Sequence, residues 1–204
     1  MKTIGLIGGC GTGKSEVSMI LRDQYGAYVL DADTIGHELI KKGTSTYKEI
    51  VHYFGNQILD TLGEINRKKL GDLVFNDEEK LQKLNQFTHG AMYIEMKNRL
   101  NEIKKNQSHK WVVIEAAVMI EAHFSDFIDY MWFVTCPIEK RIERLMTHRK
   151  MSLEKIQSIF SKQRSDEEFK GYASKTIDNG LNLEHTALQI QEEIDRILEE
   201  DNEK

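Results

Sequence analysis

Gly8-Gly9-Cys10-Gly11-Thr12-Gly13-Lys14-Ser15 constrains this chain more than any other stretch, because it satisfies G-x-x-x-x-G-K-S/T directly after the apolar run Thr3–Ile7. A strand, a glycine-rich turn and a helix in that order form a phosphate cradle. Backbone N–H groups of Gly8, Gly9, Gly11, Thr12 and Gly13 turn inward at the positive end of a helix that begins near Lys14, and a polyphosphate is favoured there. Lys14 is expected to reach the β- and γ-phosphates of a nucleoside triphosphate, and the Ser15 hydroxyl to ligate Mg²⁺.

Length and composition fit one α/β domain with a substantial core and, at most, a small added subdomain: 204 residues, 40% hydrophobic. A formal charge of −5 argues against a general nucleic-acid binder and leaves a small anionic substrate compatible. Cys10 and Cys136 are the only cysteines, so neither a disulfide framework nor a thiolate metal cluster is indicated, and a reducing compartment fits. No apolar run reaches the length of a spanning helix, and the expectation is a cytoplasmic protein with no membrane partner.

Short apolar runs at Thr3–Ile7, Ala27–Leu30, Trp111–Glu115 and Tyr130–Val134 read as buried parallel strands, with a last one at Ser174–Ile177. Helices are expected at Ser15–Tyr25, Ile138–His148 with Pro137 in its first turn, a segment capped by Ser152, and Glu184–Glu199, with Ile190, Ile194, Ile197 and Leu198 inward, before a frayed tail. Between Thr34 and about Lys105 the pattern is helical, with breaks near Gly43, Gly55–Gly63, Asn76 and Thr88. Ile50, Val51, Phe54, Leu70, Leu73, Val74 and Phe75 are its packing residues, and its length exceeds a simple crossover. The expected fold is a three-layer α/β sandwich with a helical insert; strand order is not readable.

The second strand ends in Asp31-Ala32-Asp33, at the sheet edge where ligands bind in open α/β folds. Asp33 is the favoured general base for an alcohol acceptor, with Asp31 as the capping alternative. Arg141, Arg144 and His148 share a helical face followed by Arg149, and guanidinium groups there suit phosphate oxygens as a closing lid. His37, one turn past Asp33, and His89 are acceptor-pocket candidates that surface roles would equally explain.

These segments together resemble the dephospho-CoA kinase family over nearly the whole chain. The resemblance is carried by the loop, Asp31-Ala-Asp33 with His37, Gly63-Glu-Ile-Asn-Arg67 through Phe75, Thr88-His89, Val113 through Glu121-Ala, Arg144-Leu-Met, Gln163 and Ile177-Asp-Asn179. It implies transfer of the ATP γ-phosphate to the ribose 3′-hydroxyl of dephospho-CoA. Lys14 and Ser15 would bind ATP and Mg²⁺ together with Glu16 and Arg149, Asp33 would be the base, and Arg144 a lid residue. Asp31, His37, Arg67, His89 and Glu121 would lie on the acceptor side, and Asn179 near the adenine. The implied organisation is a P-loop kinase core (1–33, 107–136, 170–204), a helical CoA-binding subdomain (34–106) and a lid (137–169), acting as a monomer or small homo-oligomer.

The chain departs from the family pattern at Glu16, where threonine is usual, at Gly90, where proline is usual, at His148 for the second lid arginine, and at Ala173-Ser174. Another small-molecule P-loop kinase and a nucleotide-binding paralogue without turnover are the alternative readings. A GTPase is disfavoured by the lack of Asn-Lys-x-Asp, and a mechanical ATPase by the lack of a strand-end aspartate, for which Glu115 is the nearest substitute.

Overall fold

A computed structural model describes residues 1–75, 77–116 and 118–203. The chain divides into two compact units, one of residues 1–30, 107–119 and 125–204, the other of residues 31–106 and 120–124.

The first unit is built on a sheet. Its strands are β1 (Lys2–Ile7), β2 (Tyr28–Asp31), β3 (Trp111–Glu115), β4 (Tyr130–Thr135) and β5 (Lys175–Asp178), in the order β2-β3-β1-β4-β5. β1 pairs in parallel with β3 and β4, and β4 in parallel with β5. Period-two alternation sends Ile4, Leu6, Trp111, Val113, Trp132, Val134 and Ile177 to one face, where they meet Val17, Ile20 and Leu21 of α1 (Lys14–Tyr25) and Ile190, Ile194 and Ile197 of α9 (Leu183–Asn202). Phe133 points the other way and stacks on Phe169 of α8 (Asp166–Tyr172), ring centroids 5.7 Å apart. Because β1 is the central strand, its C-terminal end delivers Gly8 to the middle of the sheet edge.

Three expectations for this unit shift. Pro137 stands at the N-cap of α6 (Ile138–Arg149), one place before the first turn. Leu198 is 45% exposed, because it follows Ile197 by one residue and is turned about 100° off the buried stripe. The helix continues to Asn202 where fraying was expected, with Asp201 paired to Lys2 at 2.7 Å.

The second unit is helical: α2 (Ala32–Leu39), α3 (Ser45–Phe54), α4 (Arg67–Val74) and α5 (Glu78–Asn106). Side chains of Asp31, Thr44 and Asn66 accept hydrogen bonds from first-turn amides of α2, α3 and α4 and so satisfy donors that have no partner within the helix. Ile50, Phe54, Ile58, Ile65, Leu70 and Val74 form its core, with Val51 and Leu73 packed against it. Phe75, expected there, is 62% exposed at the C-cap of α4. The break expected at Thr88 does not exist: α5 runs unbroken through His89 and Gly90 for 29 residues. Glycine lowers helix propensity by only about 1 kcal/mol, and the buried Met92, Met96, Leu100 and Ile103 that follow outweigh it. The break expected at Asn76 lies outside the described residues.

Candidate active site

The loop between β1 and α1 is shaped by positive φ at Gly8, Gly11 and Gly13 (146°, 82° and 89°). At Gly13 only glycine fits, since a Cβ would lie 2.0 Å from Asn179 Nδ2 and 2.5 Å from Glu16 Oε2. Lys14 Nζ donates to the carbonyls of Gly8 (2.7 Å) and Gly9 (3.3 Å), and Thr12 Oγ1 to Gly9 O (2.9 Å). The ammonium therefore lies along the inner rim of the turn, at the head of α1, where helix polarity favours an anion.

Ser15 Oγ donates to Glu115 Oε1 at 2.7 Å, and Ser18 Oγ to Glu115 Oε2 at 3.0 Å. Glu115 is the last residue of β3, and register places it beside Leu6, next to the start of the loop. It fills the strand-end acidic position for which the sequence offered only a substitute. Ser18, one turn after Ser15 and 4% exposed, orients it and carried no sequence signal.

Glu16 stands in the first turn of α1 beside two donors. Asn179 Nδ2 is 2.6 Å from Glu16 Oε2 and also donates to Thr12 O at 2.9 Å, and Arg144 Nη1 lies 3.6 Å from the same carboxylate oxygen. Arg144 Nη2 donates to Asn179 O at 3.0 Å. Asn179 is 3% exposed, with Oδ1 accepting from Thr186 Oγ1 at 2.9 Å, so its amide ties the turn after β5 to the loop. The carboxylate that departs from the family pattern thus has its cation. Arg144, Lys140, Glu143, Thr147, His148 and Leu181 line a cleft of about 240 Å³ between α6 and the turn after β5. His148 and Arg149 are exposed at the end of α6. Arg141 does not share their situation: it is 8% exposed and engaged with the loop backbone, because its guanidinium turns inward from the same helix.

In the helical unit, Asp31 Oδ1 accepts from the amides of Asp33 (2.9 Å) and Thr34 (3.3 Å), and Oδ2 from Thr34 Oγ1 (2.8 Å). Asp31 is the cap of α2. Asp33 lies in the first turn and His37 in the last, both exposed. Arg67 opens α4 and is exposed. His89 and Glu121 come together, although 32 positions separate them: the half-buried imidazole is hydrogen-bonded to the Glu121 backbone. Burial pushes its pKa below the usual histidine value, the nearby His123 adds to that, and Glu121 opposes both. No group of three or more His, Cys, Asp or Glu among the described residues has metal-binding geometry, and no described helix is long and apolar enough to cross a membrane.

The description of the family model that matches residues 2–185 is "Dephospho-CoA kinase". A dephospho-CoA kinase of Aquifex aeolicus is 42% identical over 192 residues, 94% of this chain and 95% of that one. In fold, the chain is similar to TT1252 from Thermus thermophilus (TM-score 0.83, 24% identity, 97% of each chain covered). It is also similar to dephospho-CoA kinase from Campylobacter jejuni (TM-score 0.71, 22% identity, 98% of this chain and 100% of that one). A family match over nearly the whole length, together with an α/β fold on a five-stranded parallel sheet, leads to one conclusion: the chain belongs to the dephospho-CoA kinase family and is an ATP-using kinase.

Proposed function

We propose that the reaction is transfer of the γ-phosphoryl group of ATP to the ribose 3′-hydroxyl of dephospho-CoA. The observation that carries this reading is the loop at the head of α1 with Lys14 at its rim, in a chain whose family phosphorylates dephospho-CoA. The acceptor oxygen forms a bond to the γ-phosphorus while the bond to the β–γ bridging oxygen breaks, leaving ADP. Asp33 accepts the proton of the attacking hydroxyl and aligns it. Lys14 and the loop amides hold the β- and γ-phosphates, and Arg144, with Arg149 beyond it, neutralises charge that spreads onto the transferred group. The cleft lined by Lys140, Thr147 and Leu181 takes the adenosine end, bordered by the segment that Asn179 fixes.

A hydroxyl and a carboxylate oxygen 2.7 Å apart, Ser15 Oγ and Glu115 Oε1, form an all-oxygen pair of the kind a small hard cation accepts. Ser15 would hold Mg²⁺ directly and Glu115 would orient its shell, and the bound ion would supply neutralisation of phosphate charge. The helical unit takes the acceptor, with His37, Arg67, His89 and Glu121 on its side, and the later part of residues 137–169 closes to exclude water. Both cysteines are free, which suits the cytoplasm.

ADP release with ATP, Mg²⁺ and a panel of dephospho-CoA, nucleosides and shikimate tests the assignment. Turnover at least a hundredfold faster with dephospho-CoA is expected. Equal or faster turnover with a nucleoside rejects it.

A further inference from the structure

The apex of the phosphate loop is gripped from two sides by side chains that the glycine motif does not itself require. The amide of Cys10 donates to Oε1 of Gln163 at 2.9 Å, and the carbonyl of Cys10 accepts from Nε of Arg141 at 3.0 Å. These partners lie 153 and 131 positions along the chain, one just past α7 (Leu153–Phe160) and one on α6. Arg141 is itself held, 3.5 Å from Asp166 and stacked 4.5 Å over the ring of Phe160. The two side chains also fill the space beside Gly9, where a Cβ would lie 2.2 Å from Arg141 Nη2 and 3.2 Å from Gln163 Oε1. The backbone of the next glycine is equally enclosed, a Cβ on Gly11 meeting the Arg141 carbonyl at 3.0 Å.

We propose that Arg141 and Gln163 are positioning residues for nucleotide binding, holding the backbone on both sides of Cys10 so that the loop keeps its cradle shape before a triphosphate arrives. The inference rests on the reading of this loop as the ATP site. A turn with four glycines in six residues has much backbone freedom to lose, and a ligand that had to order it would bind correspondingly more weakly. With both backbone polar groups of the apex residue bonded in the folded chain, the ordering is complete before binding, and affinity is not diminished by it. Arg141 is thereby set apart from Arg144 and Arg149 on the same helix: its guanidinium is committed to the loop backbone and to Asp166.

ADP titration by calorimetry, with hydrogen exchange of the peptide covering residues 8–13, tests this on the full chain. Gln163→Met keeps the bulk and removes the acceptor. It is expected to raise the Kd for ADP about tenfold, the loss of one buried hydrogen bond from the binding-competent loop, and to accelerate exchange at Cys10 without changing KM for dephospho-CoA. Gln163→Glu retains an acceptor oxygen and is expected to restore slow exchange at Cys10, a rescue that a merely space-filling role would not produce. Arg141→Lys, which preserves charge beside Asp166, is expected to raise the Kd about threefold and serves if Gln163→Met does not fold. Wild-type ADP affinity in both Gln163→Met and Arg141→Lys, or unchanged exchange at Cys10 in Gln163→Met, overturns the proposal. Absence of ADP binding in the unmutated chain would instead overturn the ATP reading.

Discussion

In the sheet-bearing unit the residues expected to meet nucleotide are held in bonded groups around one loop, whereas in the helical unit most of those expected to meet acceptor are exposed, and only His89 and Glu121 come together. Lys14 is bonded to the loop carbonyls, Ser15 to Glu115, and Glu16, Asn179 and Arg144 to one another by hydrogen bonds and one ion pair. Asp33 and His37 on α2, Arg67 on α4 and Glu121 on a return segment are exposed, and His89 on α5 is half-buried. The difference teaches how an enzyme of this kind divides its preorganisation. A compact polyphosphate is met by a fixed, backbone-lined cradle. A long, multiply jointed acceptor is met by side chains whose arrangement the ligand completes.

The comparison breaks most visibly at Asp33. Asp33→Asn is expected to lower kcat by about 10²- to 10⁴-fold with ADP affinity unchanged, measured by steady-state kinetics alongside calorimetry. A loss in nucleotide affinity of similar size would mean that the two units do not divide the work as described.

A smaller effect is expected at Glu16. Glu16→Thr removes the hydrogen bond from Asn179 Nδ2 and an ion pair whose members are 27% and 46% exposed at the side chain, a kind of pair that contributes little. The bonds from Asn179 to Thr12 and from Arg144 to Asn179 remain, so KM for ATP should move by less than about fivefold. A change of a hundredfold would show that the carboxylate, and not the surrounding backbone bonds, holds the cradle together.

The smallest effect concerns His89. Its folded pKa lies below the unfolded value, so between the two the unfolded chain binds more protons and stability rises with pH. The stability this neutral imidazole contributes is complete above about pH 6.5 and is lost as pH falls through the folded pKa. His89→Gln should therefore reduce the difference in Tm between pH 7.5 and pH 5.5. An undiminished difference in the variant would place the acid sensitivity elsewhere.

The loop was legible because its chemistry is contiguous: eight residues specify turn, amides, ammonium and hydroxyl without reference to the rest of the chain. The central strands β1, β3 and β4 were legible because both faces are buried, leaving short apolar runs such as Trp111–Glu115. Arg141 was misread because side-chain periodicity reports which residues share a helical face and not which way a long guanidinium folds; its partners, Cys10 and Asp166, are remote in sequence. The partnership of Glu115 with Ser18 depends on strand register, which no local pattern states. The break expected at Thr88 is absent because packing further along α5 overrides the local pattern. Among the acceptor-side residues only His37 carried a spacing signal, one turn past Asp33, and only the family resemblance brought Arg67 and Glu121 into consideration.

The unbroken α5 has a mechanical consequence for the helical unit. At 29 residues it is a rod of about 43 Å, and α2, α3 and α4 all lean on it. A cleavage at the exposed tip around Leu62, 76% accessible, would leave that spine whole, and the three helices would keep their common support. A cleavage in the middle of the rod would release all of them at once, so limited proteolysis should yield nicked but folded protein from the first site and complete digestion of the unit from the second.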